Sequence, residues 1–334
     1  MFQIPLVSIC VAVYNVDLWL CSCLNSIIKQ TYRNWECLII NDGSTDNSLS
    51  IAQKFCDNDS RFHLIDKING GVSTVRNIGI EHSHGEFIFF VDGDDMLIPD
   101  CLEYCIQAIG KADILVANCV VINTFDKVIG QKNQGEDRCL DRERVLKEYL
   151  NRTILTSVWS KLYRRKIIGN VRFNVKLTGA EDLHFNTNLL LQNENLCVKV
   201  TNHSIYYYRI IRTSISHIKG EERMKRLISQ IKEMDVLYEE NRKVINRCCL
   251  DEYARNMIRD ILSIYYLQGI LKRTESWCLP FISKYNGLIT NKKSKEYKQS
   301  QFILTHSNSM VSLVTTLREI PYTLKCIIKE IIAK

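Results

Sequence analysis

Four short apolar runs set the strongest constraint on the fold: Leu6–Val13, Trp35–Ile40, Phe62–Ile65 and Phe87–Val91. Each is short enough and rich enough in β-branched and aromatic residues to be a strand buried on both faces. Between them the chain changes period. Leu18, Cys21, Leu24 and Ile28 recur at helical spacing, a second segment runs from capping residues near Asp46 to about Cys56, and a third spans Val72–His82. Strand and helix alternating in this way predict an α/β fold, a parallel sheet with helices on both faces. Ligands of such sheets bind outside the carboxyl ends of the strands. Those ends carry Tyr14-Asn15, Asp42 and the pair Asp92/Asp94, so residues distant in sequence are expected in one crevice.

The fourth run stops in three carboxylates within four positions, Asp92, Asp94 and Asp95. Burying that much negative charge without a counter-ion is costly. Residues two apart on an extended segment face the same side, so Asp92 and Asp94 can meet one ligand. Carboxylate oxygens suit Mg²⁺ or Mn²⁺, which complete their shells with water and substrate phosphates. The same residues also read as an acidic turn before a helix capped by Asp100.

The remaining features narrow the class. At 334 residues the chain suits one large or two modest domains. A net charge of +7, with lysine and arginine concentrated beyond about residue 140, is consistent with an anionic substrate or membrane surface and equally with solvated helix faces. The 14 cysteines form no Cys-x-x-Cys pair and have no histidines at zinc spacing, which reads as reduced, buried thiols in a cytosolic protein. His82-Ser83-His84 has no evident third ligand and reads as a helix end. The apolar N-terminus lacks a basic leader and a cleavage site, and no run reaches transmembrane length.

A nucleotide site is indicated, but not a dinucleotide or P-loop site, because neither Gly-x-Gly-x-x-Gly nor Gly-x-x-x-x-Gly-Lys-Ser/Thr occurs. A carboxylate such as Asp42 can accept the imide N–H of uracil or thymine, and Tyr14 can stack on the ring. Arg76 and a metal on Asp94 would hold a diphosphate. Each of these residues also has a plain structural reading, as turn, surface or capping residue.

In combination the motifs resemble the family 2 glycosyltransferases of the GT-A fold. The resemblance is carried by Val7–Asn15, Ile40-Asn41-Asp42-Gly43-Ser44-Thr45-Asp46, Gly70-Gly71-Val72-Ser73 with Arg76-Asn77-Ile78-Gly79, and Val91-Asp92-Gly93-Asp94-Asp95 at the D-x-D position. It continues through Trp159-Ser160-Lys161-Leu162-Tyr163, Gly179-Ala180-Glu181-Asp182, Tyr206–Arg209 and Ser214-Ile215-Ser216, covering about residues 4–217. It implies that Asp42 and Arg76 contact the nucleotide, that Asp92 lies by ribose and diphosphate, that Asp94 holds Mn²⁺ or Mg²⁺, and that Asp182 is the catalytic base. Three positions depart from the usual pattern: Ala12 stands where proline is usual, Asn41 where aspartate is common, and Gly93 where serine is common.

Beyond the fourth run, Ile114–Ala117 and Val120–Ile122 are expected to be further strands, Asp126–Asp137 a mobile loop, and Arg142–Leu150 and Val158–Ile167 helices. A helix carrying Phe185, Leu189 and Leu190 follows Glu181-Asp182. Arg209 is expected to face the phosphates, and Tyr206-Tyr207-Tyr208 to pack. From Gly220 onward charged amphipathic helices are expected at Glu221–Arg242, Leu250–Leu271 and Leu313–Ala333, the last an apolar stripe flanked by lysine and arginine.

The expected organisation is therefore a GT-A domain over residues 1–217, with a nucleotide-sugar half at about 1–125 and an acceptor half at about 126–217, then a helical region over 218–334. The expected activity is inverting transfer of a sugar, from a UDP-linked donor, to a hydroxyl of a glycan or lipid-linked glycan. No nucleic-acid partner is implied, and the C-terminal stripe reads either as peripheral contact with the inner face of the cell membrane or as packing on its own domain. Two alternatives stand beside this reading. A sugar-1-phosphate nucleotidyltransferase would need a Gly-rich basic loop after the first strand, where Tyr14-Asn15-Val16-Asp17 stands. A nucleotide-sugar-binding scaffold would bind UDP without consuming donor.

Overall fold

The structure is a computed structural model that describes residues 4–177, 179–211, 220–270 and 278–305. The stripe at Leu313–Ala333 and the Ser214-Ile215-Ser216 motif lie outside the described residues. The chain divides into two compact units, residues 1–217 and 218–334.

The first unit is built on a ten-stranded mixed sheet. Strands β1 (Val7–Val13), β2 (Trp35–Asn41), β3 (Phe62–Asp66) and β4 (Phe87–Asp92) run parallel in the order β3-β2-β1-β4. Helices α1 (Asp17–Ile28), α2 (Ser48–Asn58) and α3 (Val72–His82) connect them. Every residue of β2 is buried, which explains why these strands read as unbroken apolar runs. Alternate residues serve opposite faces. Ile9 and Phe89 belong to the core that contains Leu20, Leu24 and Ile27 of α1. On the other face Phe90 packs edge-on to Phe173 and Phe185, and a side chain at Gly79 of α3 would strike Cys10 at 2.9 Å.

After the short strand β5 (Met96–Leu97) and helix α4 (Cys101–Ile109), the topology departs from repeated strand and helix. Asp100 takes the cap position of α4 but makes no side-chain cap hydrogen bond. The two apolar runs after Asp113 form one strand, β6 (Ile114–Ile122). The segment expected to be a loop contains β7 (Val128–Lys132), which folds back antiparallel on β6, and is followed by β8 (Arg138–Asp141). Helix α5 (Arg142–Asn151) forms as expected. Val158–Ile167 does not form a helix: Lys161–Arg164 is strand β9, wedged antiparallel between β4 and β6, followed by a single turn α6 (Arg165–Ile168). Backbone partners on both sides override the helical spacing of its apolar residues. Helix α7 (Glu181–Gln192) and the long strand β10 (Cys197–Arg209) complete the unit, with β10 parallel to β6 and antiparallel to β8 and β5.

The second unit is helical over its described residues: α8 (Gly220–Glu240), α9 (Arg242–Cys248), α10 (Leu250–Ile270), α11 (Cys278–Leu288) and α12 (Lys295–Thr305). Ile231, Met234, Tyr253, Ile258, Ile282 and Tyr285 are buried in it. Among the described residues no helix is long and apolar enough to cross a membrane.

Candidate active site

The carboxyl ends of β1, β2 and β4 converge, as strand order requires. Asn15 adopts a left-handed conformation (φ 52°) and its Oδ1 accepts from Thr45 N at 2.8 Å, tying the end of β1 to the turn after β2. Tyr14 beside it is 49% exposed. Asp42 is buried and heavily bonded: Oδ1 accepts from Gly70 N and Oδ2 from Gly71 N, both at 2.8 Å, and Lys67 Nζ pairs with Oδ1. The carboxylate thus fastens the start of α3. A carboxylate has about four acceptor positions, so Asp42 retains capacity for one further donor.

Helix α3 carries Arg76 into the crevice. The guanidinium is buried and gathers three carboxylates: Asp92 at 3.2 Å, Glu181 at 3.2 Å and Asp182 at 2.6 Å. Sequence reading placed Arg76 against the nucleotide and did not foresee this junction, whose partners lie 16 to 106 residues away. One cation cannot balance three carboxylates, and the consequence falls on Asp182. Burial pushes its carboxyl up to about 7, helped by Glu181 and Asp92, while Arg76 pulls the other way. Ala180, not Asp182, takes the cap position of α7. The second Asp182 oxygen, Oδ2, instead accepts from Val158 N at 3.1 Å.

On the other side of Asp92, the turn Gly93–Asp95 brings Asp94 inward. Gly93 N donates to Ala12 O at 2.9 Å, and a Cβ at Gly93 would meet that same oxygen at 2.9 Å, which accounts for glycine at this position. Burial, and next the Asp92 charge, push Asp94 up to about 6. Arg209 does not present its side chain to a ligand. It is buried, donates through its backbone N–H to Asp95 Oδ1 (2.7 Å) and through Nε to Asp94 O (2.7 Å), and so braces the acidic turn. Tyr206 packs, stacked on Trp159 at 5.2 Å, and its hydroxyl accepts from Asp92 N at 3.1 Å. Arg209 and Tyr206 are site-shaping residues whose part could be read only from the pairing of β10.

For a divalent cation the chain offers Asp94 and its neighbour Asp92. Among the described residues no three Asp, Glu, His or Cys side chains are grouped to hold a metal alone. One or two carboxylates completed by water and phosphate oxygens is the arrangement that suits Mg²⁺ or Mn²⁺. The upward shift of Asp94 marks a negative charge that such an ion would relieve.

Residues 8–172 match the family model described as glycosyl transferase family 2. This chain belongs to that family. It is 33% identical over 237 residues to "Glycosyltransferase GlyA" of Streptococcus pneumoniae, an alignment covering 68% of this chain and 34% of GlyA. It is 31% identical over 227 residues to the "Uncharacterized glycosyltransferase EpsJ" of Bacillus subtilis, covering 65% and 64% of the two chains. The chain therefore spans about a third of GlyA and just under two thirds of EpsJ. Among solved structures, S. aureus TarS 1-349 in complex with UDP-GlcNAc superposes with a TM-score of 0.68 at 18% identity, covering 94% of this chain and 91% of that one. That likeness shows the GT-A fold.

Proposed function

We propose that this protein is an inverting glycosyltransferase that moves a sugar from a UDP-linked donor to a hydroxyl of a growing glycan, in polysaccharide or glycoconjugate biosynthesis. The observation that carries the reading is the Arg76 junction, which joins the end of the donor-side strand β4 to Asp182 of the second half within two side-chain contacts. The bound UDP-GlcNAc of TarS supports a uridine donor.

In this reading residues 1–125 hold the donor and 126–217 the acceptor. Tyr14 stacks on the base and Asp42 accepts its imide N–H. Asp92 and Arg76 lie along ribose and diphosphate, and Asp94 holds Mn²⁺ or Mg²⁺. The cation, when bound, neutralises charge on the departing nucleoside diphosphate. Asp182 takes the proton of the acceptor hydroxyl as that oxygen attacks the anomeric carbon. The diphosphate leaves from the opposite face, so the configuration inverts. A base is most effective when its pKa lies near the working pH, and the elevated Asp182 meets that requirement. Once the proton is on Asp182, the Arg76 guanidinium remains to balance Asp92 and Glu181. The C-terminal stripe of apolar and basic residues provides for peripheral membrane contact; failure of the full chain to co-sediment with anionic vesicles would remove that part.

The deciding experiment offers a panel of nucleotide sugars with Mn²⁺ and follows nucleoside diphosphate release, with the anomeric configuration of the product read by NMR. Release from a UDP-sugar with inversion is the expected result. UDP binding without release from any donor would favour a binding subunit instead.

A further inference from the structure

Lys161 is the one lysine among the described residues with no exposed surface, and the mechanism above leaves it without a task. It is the first residue of β9, beneath the segment that faces Asp182. Its Nζ donates to the carbonyl oxygen of Ser157. The N–H of the same peptide unit belongs to Val158, and it donates to Asp182 Oδ2 at 3.1 Å. One peptide group therefore stands between an ammonium and a carboxylate, with the cation on its carbonyl and the anion on its N–H. In a trans peptide these two bonds point in opposite directions, so the three groups form a line of aligned dipoles. Each bond in such a chain strengthens the next, and the low dielectric of a buried site enlarges the effect.

The surrounding segment is fixed at several points. Leu155 N donates to Gln134 Oε1 at 2.6 Å, and Asn186 Nδ2 donates to Thr156 O at 2.8 Å. Ser160, in a left-handed conformation (φ 58°), donates to Asn118 O at 3.0 Å. The Ser157–Val158 peptide is thus held in place and its N–H is aimed at one carboxylate oxygen.

We propose that Lys161 is a positioning residue for transfer: acting through the Ser157–Val158 peptide, it orients Asp182 and favours its ionised form. The inference rests on Asp182 being the base. Asp182 is faced by Arg76 of α3, Asp92 at the end of β4, Glu181 of its own helix and Tyr163 of β9. Lys161 is faced by Asp182, by the ring of Tyr149 and by Cys119. Arg76 is the cation bonded to Asp182, and Lys161 feels the charge of that same carboxylate. Burial brings its ammonium down to about 7, so its charge is sensitive to the state of the carboxylate.

Two variants separate donor geometry from charge: Lys161→Gln keeps an N–H donor, whereas Lys161→Met keeps only the stem. The readouts are UDP affinity with Mn²⁺ and the pH profile of kcat, with Asp182→Asn as reference. Both variants should bind UDP as wild type does. Lys161→Met should lose about tenfold or more in kcat with little change in KM, and its acid limb should move to higher pH. Lys161→Gln should recover part of the rate but keep the displaced limb. A kcat profile superimposable on wild type in both variants overturns the proposal. So does a loss of UDP affinity parallel to the loss of rate, or failure of both to fold, because Lys161 would then serve the core. Should Asp182→Asn itself transfer at the wild-type rate, it is the base assignment that fails.

Discussion

The two halves of the sheet contribute carboxylates of different kinds. Asp94, at the end of the parallel half, is pushed up to about 6 and among the described residues forms no ion pair. Asp182, from the mixed half, is pushed up to about 7 although a guanidinium lies 2.6 Å away. Both are elevated by burial, yet their charge is balanced differently. A carboxylate whose nearest cation, Arg209, is committed to the turn backbone and to Asp126 suits an ion that arrives with the substrate. A carboxylate already paired, but sharing its partner with two others, suits a proton that comes and goes near neutral pH. Position in the fold accompanies the difference: Asp94 follows the end of the parallel strand β4, whereas Asp182 lies in the first turn of α7.

That contrast can be broken most decisively at Asp182. Asparagine keeps the shape but cannot take a proton, and a positioned base contributes about 10²–10⁴-fold, roughly 3–5 kcal/mol of barrier. Asp182→Asn should therefore abolish transfer to within that range while calorimetry with UDP and Mn²⁺ stays near wild type. Transfer within a few-fold of wild type would move the base elsewhere, with Glu181 next to be tested.

Asp94→Asn probes the other side of the comparison. Metal-supported UDP binding should weaken sharply, and transfer with it, while the thermal transition holds or rises because one mutually repelling charge is gone. Equal UDP affinities with Mn²⁺, with EDTA and in the variant would take Asp94 out of the metal role.

The smallest effect is the pH response. In the proposed role Asp182 is a base only when ionised, so kcat at saturating donor and metal should rise with pH through the neighbourhood of 7 and then level. In the metal-free protein the same elevated groups act on stability with the opposite sign. A carboxyl whose pKa is higher folded than unfolded favours the native state at low pH, and that advantage is lost as pH rises toward 6–7. A metal-free melting temperature that climbs from pH 5 to 7.5 would contradict the assignment of both shifts.

The parallel half was legible because its central strands β1, β2 and β4 are buried apolar runs, and α3 falls at the expected Val72–His82. The mixed half was not. β9 is four residues long and owes its conformation to β4 and β6 on either side, information that no local window contains. β7 is almost wholly exposed, so it carries no apolar signal beyond the hairpin it closes on β6. The crevice followed the same division. Asp42, Asp92 and Asp94 stand at strand ends that periodicity locates. The Arg76 junction and the Arg209 brace depend on partners distant in sequence, and the Lys161 contact, local to Ser157, meets the site only where Val158 reaches Asp182.

The fastening of Asp42 bears on how donor preference can change over evolutionary time. Its carboxylate receives the N–H groups of Gly70 and Gly71 and the ammonium of Lys67, and so anchors the helix that delivers Arg76. A substitution there would unfasten the start of α3 and disturb the Arg76 junction, on which the proposed transfer rests. In the proposed reading, selection for a different nucleotide would act more readily through a side chain such as that of Tyr14, which is 49% exposed.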